Sequence, residues 1–272
     1  MTRYEQAKQS VSQLNQLMRM PTESRPHKPA RVDMTIAGAL AFERVSFRYR
    51  PDSEPAMIGV SLKIPVGGIL GVTGGNGAGK STLLALAAGL YRPQAGIITI
   101  DGIDIRQMDP IDLRQQVAYV AQDSHMFHGS IAQNLRLGHP TASDDDLYAV
   151  CAKLGIQDQI DALPDGIETR IGDQRVQQLK VGFKQRLAIA SALLRQPRVL
   201  LLDEAARALD FEGDQAFADI IRGLRGNTTV MMVSHRPSHL KLCDQMIVLE
   251  TGAVVAAGKP EDVLPTMQGA AA

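Results

Sequence analysis

The stretch Gly74-Gly75-Asn76-Gly77-Ala78-Gly79-Lys80-Ser81 constrains the fold of this chain more than any other segment. It satisfies the pattern G-x-x-x-x-G-K-[ST] at every required position. The β-like run Ile69–Thr73 precedes it and the helical run Ser81–Leu90 follows it, so it reads as a strand-to-helix turn. Glycines let the backbone wrap closely around phosphates and point its N–H groups inward. The helix behind the turn adds the positive end of its dipole. Lys80 is placed to reach β- and γ-phosphates, and the Ser81 hydroxyl to ligate Mg²⁺, with Thr82 next to it. An ordinary glycine-rich turn is the plain alternative, and the Lys-Ser pair argues against it.

A second segment answers the first. Val199-Leu200-Leu201-Leu202-Asp203-Glu204 is a hydrophobic strand that ends in two carboxylates. A strand buried in a sheet presents its last side chains rigidly at the sheet edge. Asp203 is expected to hold Mg²⁺ and Glu204 to polarise an attacking water as general base. Alone, such a strand could be a core element capped by acids. Beside a phosphate loop it reads as the other half of a site.

Composition narrows the class. The chain has 272 residues, 44% of them hydrophobic, enough for one large α/β domain or for one with a smaller attachment. Twenty-nine basic residues balance twenty-nine acidic ones, so no overall field favours nucleic acid. The longest apolar runs, such as Leu83–Leu90, fall far short of the about 20 residues that span a bilayer. Any membrane role must therefore pass through another domain or chain. Met1–Ser10 lacks an apolar signal-peptide region. Cys151 and Cys243 are sparse and distant, which fits a reduced cytosolic compartment.

Tyr4–Met20 has helical spacing, with Leu14, Leu17 and Met18 on one face. Pro21, Pro26 and Pro29 stop it, and Thr22–Val32 reads as a linker. Short strand-like runs follow at Ala41–Phe47, Val60–Ile64, Ile97–Ile100 and Gln116–Ala121. Residues from about 124 to 195 look mainly helical, with a polar loop near 164–180. Thr228–Ser234 is another buried strand, and Gln245–Leu249 with Ala253–Ala256 form a hairpin around Thr251-Gly252. His125 and His128 make an H-x-x-H pair in a loop with no obvious further ligands, so no metal site is inferred there.

At these residues the chain resembles the ATPase cassettes of ABC transporters, over nearly all of residues 40–265. The resemblance implies an α/β fold: a P-loop NTPase core with an antiparallel β subdomain and a helical subdomain at about 124–195. It divides the chain into 1–32, a helical extension from a last transmembrane helix plus linker, and 33–272, the nucleotide-binding domain. It implies ATP and Mg²⁺ as ligands. Tyr49, in Val45-Ser46-Phe47-Arg48-Tyr49, matches the aromatic residue that stacks on adenine. Gln122 matches the Q-loop glutamine, which senses Mg²⁺ and the γ-phosphate and links to the transmembrane domain. Asp210, in Ala208-Leu209-Asp210, matches the D-loop aspartate, and His235 the switch histidine near the γ-phosphate. The run Phe127–Leu135 is similar to the "LF-x-G-T-I-x-x-N-I" run of ABC exporters. Leu17-Met18-Arg19-Met20-Pro21-Thr22-Glu23 is similar to bacterial type I protein secretion ATPases, which implies a segment of a longer protein at the cytoplasmic face of the inner membrane.

One motif departs from the family. The usual L-S-G-G-Q is here Leu179-Lys180-Val181-Gly182-Phe183. Gln185, Arg186 and the run Ala188 to Leu194 keep the following helix in register. In the family two cassettes sandwich each ATP head to tail, and this motif faces the partner's γ-phosphate. A branched side chain at Val181 obstructs close backbone approach. Losing one transition-state donor can cost about 10²–10³ in rate. Arg207 stands where the D-loop normally has serine, and the loop Gly172-Asp173-Gln174-Arg175-Val176 also differs from the exporter pattern. The resemblance thus implies a second cassette, identical or different, as partner, with the transmembrane domains of an exporter. An ATP-gated regulatory module with little hydrolysis is the competing expectation. A DNA-repair or translation protein fits less well, because neither Phe127–Leu135 nor the neutral charge suits it.

Overall fold

The computed structural model describes residues 36–171 and 179–269, together with Glu5, Lys8, Val11, Ser12, Leu14, Asn15 and Met18. Those seven positions are helical, and Leu14 and Met18 are exposed. Leu17, the linker Thr22–Val32 and the loop Gly172–Val176 lie outside the described residues.

An antiparallel sheet opens the described fold. Strand β1 (Leu40–Phe47) pairs with β2 (Met57–Ile64) on one side and β4 (Ala95–Ile100) on the other, and β4 continues into the short β5 (Ile103–Asp104). Leu40, Phe42, Val45 and Phe47 of β1 are all buried. Strict alternation would turn Val45 outward. A register shift between Phe42 and Val45, with Arg44 at φ 48°, inserts the extra residue that keeps both sides of the sequence facing the core.

The second sheet has the order β12-β11-β3-β10-β9-β6, built from β3 (Ile69–Gly74), β6 (Val117–Val120), β9 (Val199–Asp203), β10 (Thr229–Val233), β11 (Gln245–Glu250) and β12 (Ala253–Gly258). All of its pairings are parallel except that of β11 with β12. β9 and β10 are buried along their whole length, as their unbroken apolar runs require of strands covered on both faces. Alternate residues feed two cores. Val199, Leu201, Met231 and Val233 pack with the antiparallel sheet and with α1 (Lys80–Ala87). Leu200, Leu202, Val230 and Met232 pack with the helical part of the chain.

That helical part contains α3 (Ile131–Arg136), α4 (Asp144–Lys153), α5 (Gln157–Asp161) and α6 (Val181–Leu194). Its α3 begins with a capping box: Ser130 Oγ accepts from Gln133 N–H, and Gln133 Oε1 accepts from Ser130 N–H. Asn134 then clamps the preceding turn, accepting from Phe127 N–H and donating to the carbonyls of Phe127 and Ser130. The exporter-like run Phe127–Leu135 thus owes its spacing to a helix start.

Several expectations shift. The strand expected from Gln116 begins at Val117, because Gln116 closes α2 (Pro110–Gln116), whose start is capped by Asp109 with Pro110 at the first position. The loop expected at 164–180 carries the 3₁₀ turn Gly166–Glu168 and strand β8 (Arg170–Ile171), which pairs with β7 (Gly129–Ser130). Two-residue strands have no periodicity to read. Helix α7 (Phe211–Leu224) had a usable signal in the buried Phe217 and Ile221, one helical turn apart. The chain closes with α8 (Pro237–Leu240) and α9 (Pro260–Gly269).

Candidate active site

The glycine-rich turn lies between β3 and α1, with Gly79 at the helix N-cap in the left-handed region at φ 99°. A Cβ there would lie 2.2 Å from Met57 Cε and 2.6 Å from the Ala56 carbonyl oxygen. The glycine is therefore required by the antiparallel sheet behind the loop as well as by any ligand in front of it. Gly75 and Gly77 face open space, which leaves room for a ligand against the backbone. Lys80 is buried, and its Nζ donates to the carbonyls of Gly74 (2.9 Å) and Gly75 (2.8 Å). Neutral carbonyls orient an ammonium without neutralising it, so the loop carries a positive charge suited to a phosphate. Ser81 is exposed, and Thr82 is buried with its hydroxyl 2.9 Å from Tyr49 Oη.

Tyr49 is 53% exposed and ties the rim of the site to α1 through that hydrogen bond. Its ring meets Phe47 and Tyr91 edge-on, at 5.0 and 5.2 Å between centroids. Tyr91 was not foreseen from sequence. Nothing but its being an aromatic residue soon after a phosphate-loop helix marked it.

The acidic end of β9 lies at the same edge of the sheet. Asp203 is buried and accepts a hydrogen bond from the Tyr119 hydroxyl at 3.1 Å, from the neighbouring strand β6. Burial, and then the charge of Asp203, hold Tyr119 protonated well above the usual tyrosine range. Tyr119 was also missed, since a tyrosine in a strand gives no sign of what lies across the ladder.

Glu204 has φ 48°, a conformation uncommon for a residue with a side chain, and its N–H donates to the Val233 carbonyl at 3.2 Å. Its two carboxylate oxygens are held apart: Oε1 is 3.3 Å from His235 Nε2, and Oε2 is 3.4 Å from an Arg207 guanidinium nitrogen. Asn76 of the phosphate loop, Glu204, Arg207 and His235 line one cavity of about 240 Å³. His235 also borders a second opening that follows the phosphate loop from Thr73 to Ala78. The structure thus brings Glu204, His235 and the loop together. Among the described residues, no hydrogen bond joins the side chains of Ser81, Gln122 and Asp203. Gln122 is anchored instead through its carbonyl, which accepts from the buried Gln185 of α6 at 3.2 Å.

The five residues Leu179–Phe183 separate into different environments. Lys180 and Val181 are exposed, and Lys180 makes no side-chain cap to α6. A Cβ on Gly182 would lie 2.6 Å from the Ala208 carbonyl oxygen, so this glycine lets α6 approach the turn that precedes Asp210. Leu179 packs against the helical core at its edge, whereas Phe183 is 4% exposed inside it. Phe183 stands where the family pattern has glutamine, beside the other departures at Lys180 and Val181. The helical turn places it inward. Asp210 caps α7, accepting from Gly213 N–H at 2.9 Å, and lies 3.5 Å from Arg186.

Both cysteines are buried and free, with thiols pushed up to about 12 by burial. Among the described residues, no helix is long and apolar enough to cross a membrane.

The chain is similar to known proteins. The chain is 35% identical, over 98% of its length, to the leukotoxin export ATP-binding protein LtxB of Aggregatibacter actinomycetemcomitans. It is 39% identical, over 84% of its length, to the cyclolysin secretion/processing ATP-binding protein CyaB of Bordetella pertussis. It is 36% identical, over 96% of its length, to the alpha-hemolysin translocation ATP-binding protein HlyB of Escherichia coli. The chain spans only 37%, 32% and 36% of the length of these relatives, respectively. Among solved structures, a bacterial Atm1-family ABC exporter with ATP bound superposes with a TM-score of 0.87 at 31% identity, over 96% of this chain and 46% of that one. The ABC transporter sequence profile matches residues 57–207, more than half of the chain, and this protein belongs to that family.

Proposed function

We propose that the chain is the ATP-binding and ATP-hydrolysing motor segment of an exporter, acting at the cytoplasmic face of a bacterial inner membrane in type I protein secretion. The observation that carries this reading is the shared cavity, where a phosphate-loop residue, the Glu204 carboxylate and the His235 ring meet. The names of the similar proteins, which concern export, secretion and translocation of toxins, support the direction of transport.

In this reading Tyr49 stacks on adenine, and Gly74–Thr82 bind the phosphates with Lys80 as the charged partner. Ser81, Gln122 and Asp203 are a hydroxyl, an amide oxygen and a carboxylate, hard oxygen donors that suit Mg²⁺. The chemistry that ion supplies when bound is neutralisation of phosphate charge. Glu204 takes the proton of the attacking water while a water oxygen joins the γ-phosphorus and the bond to the bridging oxygen breaks. ADP and phosphate are the products. His235, beside Glu204 Oε1, orients the carboxylate and faces the transferred group.

A second reading, a nucleotide-gated module with little hydrolysis, draws on the exposed Lys180 and Val181 at the uncapped start of α6. In the motor reading the phosphate loop of this chain works with an intact signature on a second cassette, and the site built on Leu179–Phe183 turns over slowly. ATP hydrolysis measured across protein concentration, with Glu204→Gln as control and nucleotide binding in parallel, separates the two. A rate that rises faster than linearly and vanishes in the control supports the motor acting as a homodimer. Binding with no hydrolysis, even with an intact cassette added, overturns the motor reading.

A further inference from the structure

Behind His235 lies a partly buried cluster that none of these roles uses. His239 of α8 is 2% exposed. Its Nδ1 is 3.1 Å from Ser234 Oγ, and its Nε2 is 2.7 Å from Asp214 Oδ1. Asp214 stands in the first turn of α7, and the same oxygen accepts from Arg236 at 2.5 Å. Arg236 donates through its other terminal nitrogen to the Arg207 carbonyl at 3.1 Å, and through its backbone N–H to Ser234 Oγ at 3.1 Å. The partners assign the tautomer of the neutral ring. A carboxylate only accepts, so Nε2 carries the proton, and Nδ1 accepts from the Ser234 hydroxyl. Phe217 packs on the ring at 5.2 Å between centroids.

His235 lies between the two residues this cluster holds. Ser234 is tied to Asp214 through His239, and Arg236 is tied to Asp214 directly. The His235 side chain itself is 46% exposed and touches Glu204 at 3.3 Å. An exposed ring on a short connection between β10 and α8 loses conformational freedom when it is held in one place, and something must offset that loss. The bond of Ser234 to the buried His239 and that of Arg236 to the half-buried Asp214 do so.

We propose that Asp214 is a positioning residue for His235. Through Arg236 and His239 it fixes the segment Ser234–Arg236 in one conformation and sets the approach of His235 to Glu204. Because Arg236 also holds the Arg207 carbonyl, the turn that carries Arg207 and Asp210 moves together with His235. The inference rests on the reading of Glu204 and His235 as the hydrolytic pair.

The test compares the whole chain with its Asp214→Ala and Asp214→Asn variants, with His239→Gln as a second route into the cluster should the alanine variant fail to fold. Three quantities are read: kcat and KM for ATP, affinity for a fluorescent ATP analogue, and histidine-ring nitrogen spectra without nucleotide. Asp214→Ala is expected to lower kcat by about 10- to 100-fold, the cost of displacing a catalytic group by about an ångström. KM and nucleotide affinity are expected to stay within about twofold, since among the described residues no hydrogen bond joins Tyr49 or Gly74–Thr82 to the cluster. Asp214→Asn keeps an acceptor oxygen and is expected to recover part of the loss. The His239 ring should lose its single tautomer, and the His235 signal should move with it. An unchanged kcat, or a His235 signal that stays put when His239 changes, overturns the proposal. If the parent chain binds ATP without turning it over, the ring spectra alone decide. If it binds no ATP, the functional reading fails, while the coupling of the two rings is still measured.

Discussion

The carboxyl edge of the parallel sheet and the amino end of α6 carry motifs of one family, and they hold their residues by different means. At the sheet edge Lys80, Asp203 and Glu204 are fastened within the chain. Lys80 is bound by two carbonyls, Asp203 by Tyr119, and Glu204 by His235 and Arg207. At α6 the residues that keep the family pattern are also fastened: Gly182 lies against the Ala208 carbonyl, and Gln185 holds the Gln122 backbone. Lys180 and Val181, which depart from the pattern, are exposed, and Lys180 makes no side-chain cap to α6 among the described residues. The comparison teaches that folding constrains one set of positions and leaves the other to whatever faces it. Substitutions at Lys180 and Val181 cost the fold little and act on what this face meets.

The comparison is broken most decisively at the sheet edge. Glu204→Gln is expected to reduce ATP hydrolysis by about 10²-fold or more while nucleotide binding persists, because the amide cannot take a proton from water. Steady-state rates with parallel binding titrations check this, and hydrolysis within a fewfold of the parent would remove Glu204 from the role of base. At α6, the double change Lys180→Ser with Val181→Gly should raise hydrolysis by about tenfold or more, through a restored hydroxyl and exposed backbone donors. A flat rate would mean that the departures at this face are silent.

Phe183→Gln sharpens the contrast from the inside. Although the family pattern has glutamine there, the position is buried in this chain. The change should cost about 2–4 kcal/mol and lower the melting temperature, by lost apolar burial and an unpaired amide. Adding it to the double change should reduce the gain.

The smallest effect is expected at Tyr119. Tyr119→Phe removes the hydroxyl bonded to Asp203 and should destabilise the chain by about 1 kcal/mol near neutral pH. The pH dependence has a definite sign. The folded pKa of Tyr119 is raised, so its contribution is fully present below about pH 10, the ordinary tyrosine value, and is lost as pH rises above it. Denaturant titrations at alkaline pH should therefore show a shallower loss of stability in the variant.

The phosphate loop, the acidic strand end and the buried strands were legible because each is written in consecutive residues. Local spacing is enough for a strand-to-helix turn or an unbroken apolar run. The hydrogen bond from Tyr119 to Asp203, the bulge that turns both Phe42 and Val45 inward, and the network of Asp214, Arg236 and His239 were not legible. Each joins segments far apart in sequence or depends on a shift of register. Phe183 shows the same limit within a single motif: its letter marked a departure from the family, while its orientation came from the helix.

By itself the sequence determined that a glycine-rich turn leads into a helix, that a buried strand ends in Asp203 and Glu204, and that Lys180 and Val181 break a family motif. Only the tertiary structure decided which of these residues meet. Glu204 faces His235 because β9 and β10 lie side by side in parallel, their ends aligned by the pairing of Val233 with Asp203. Register across a sheet depends on which strands become neighbours and how their side chains share two cores, and that is a property of the whole chain packed together.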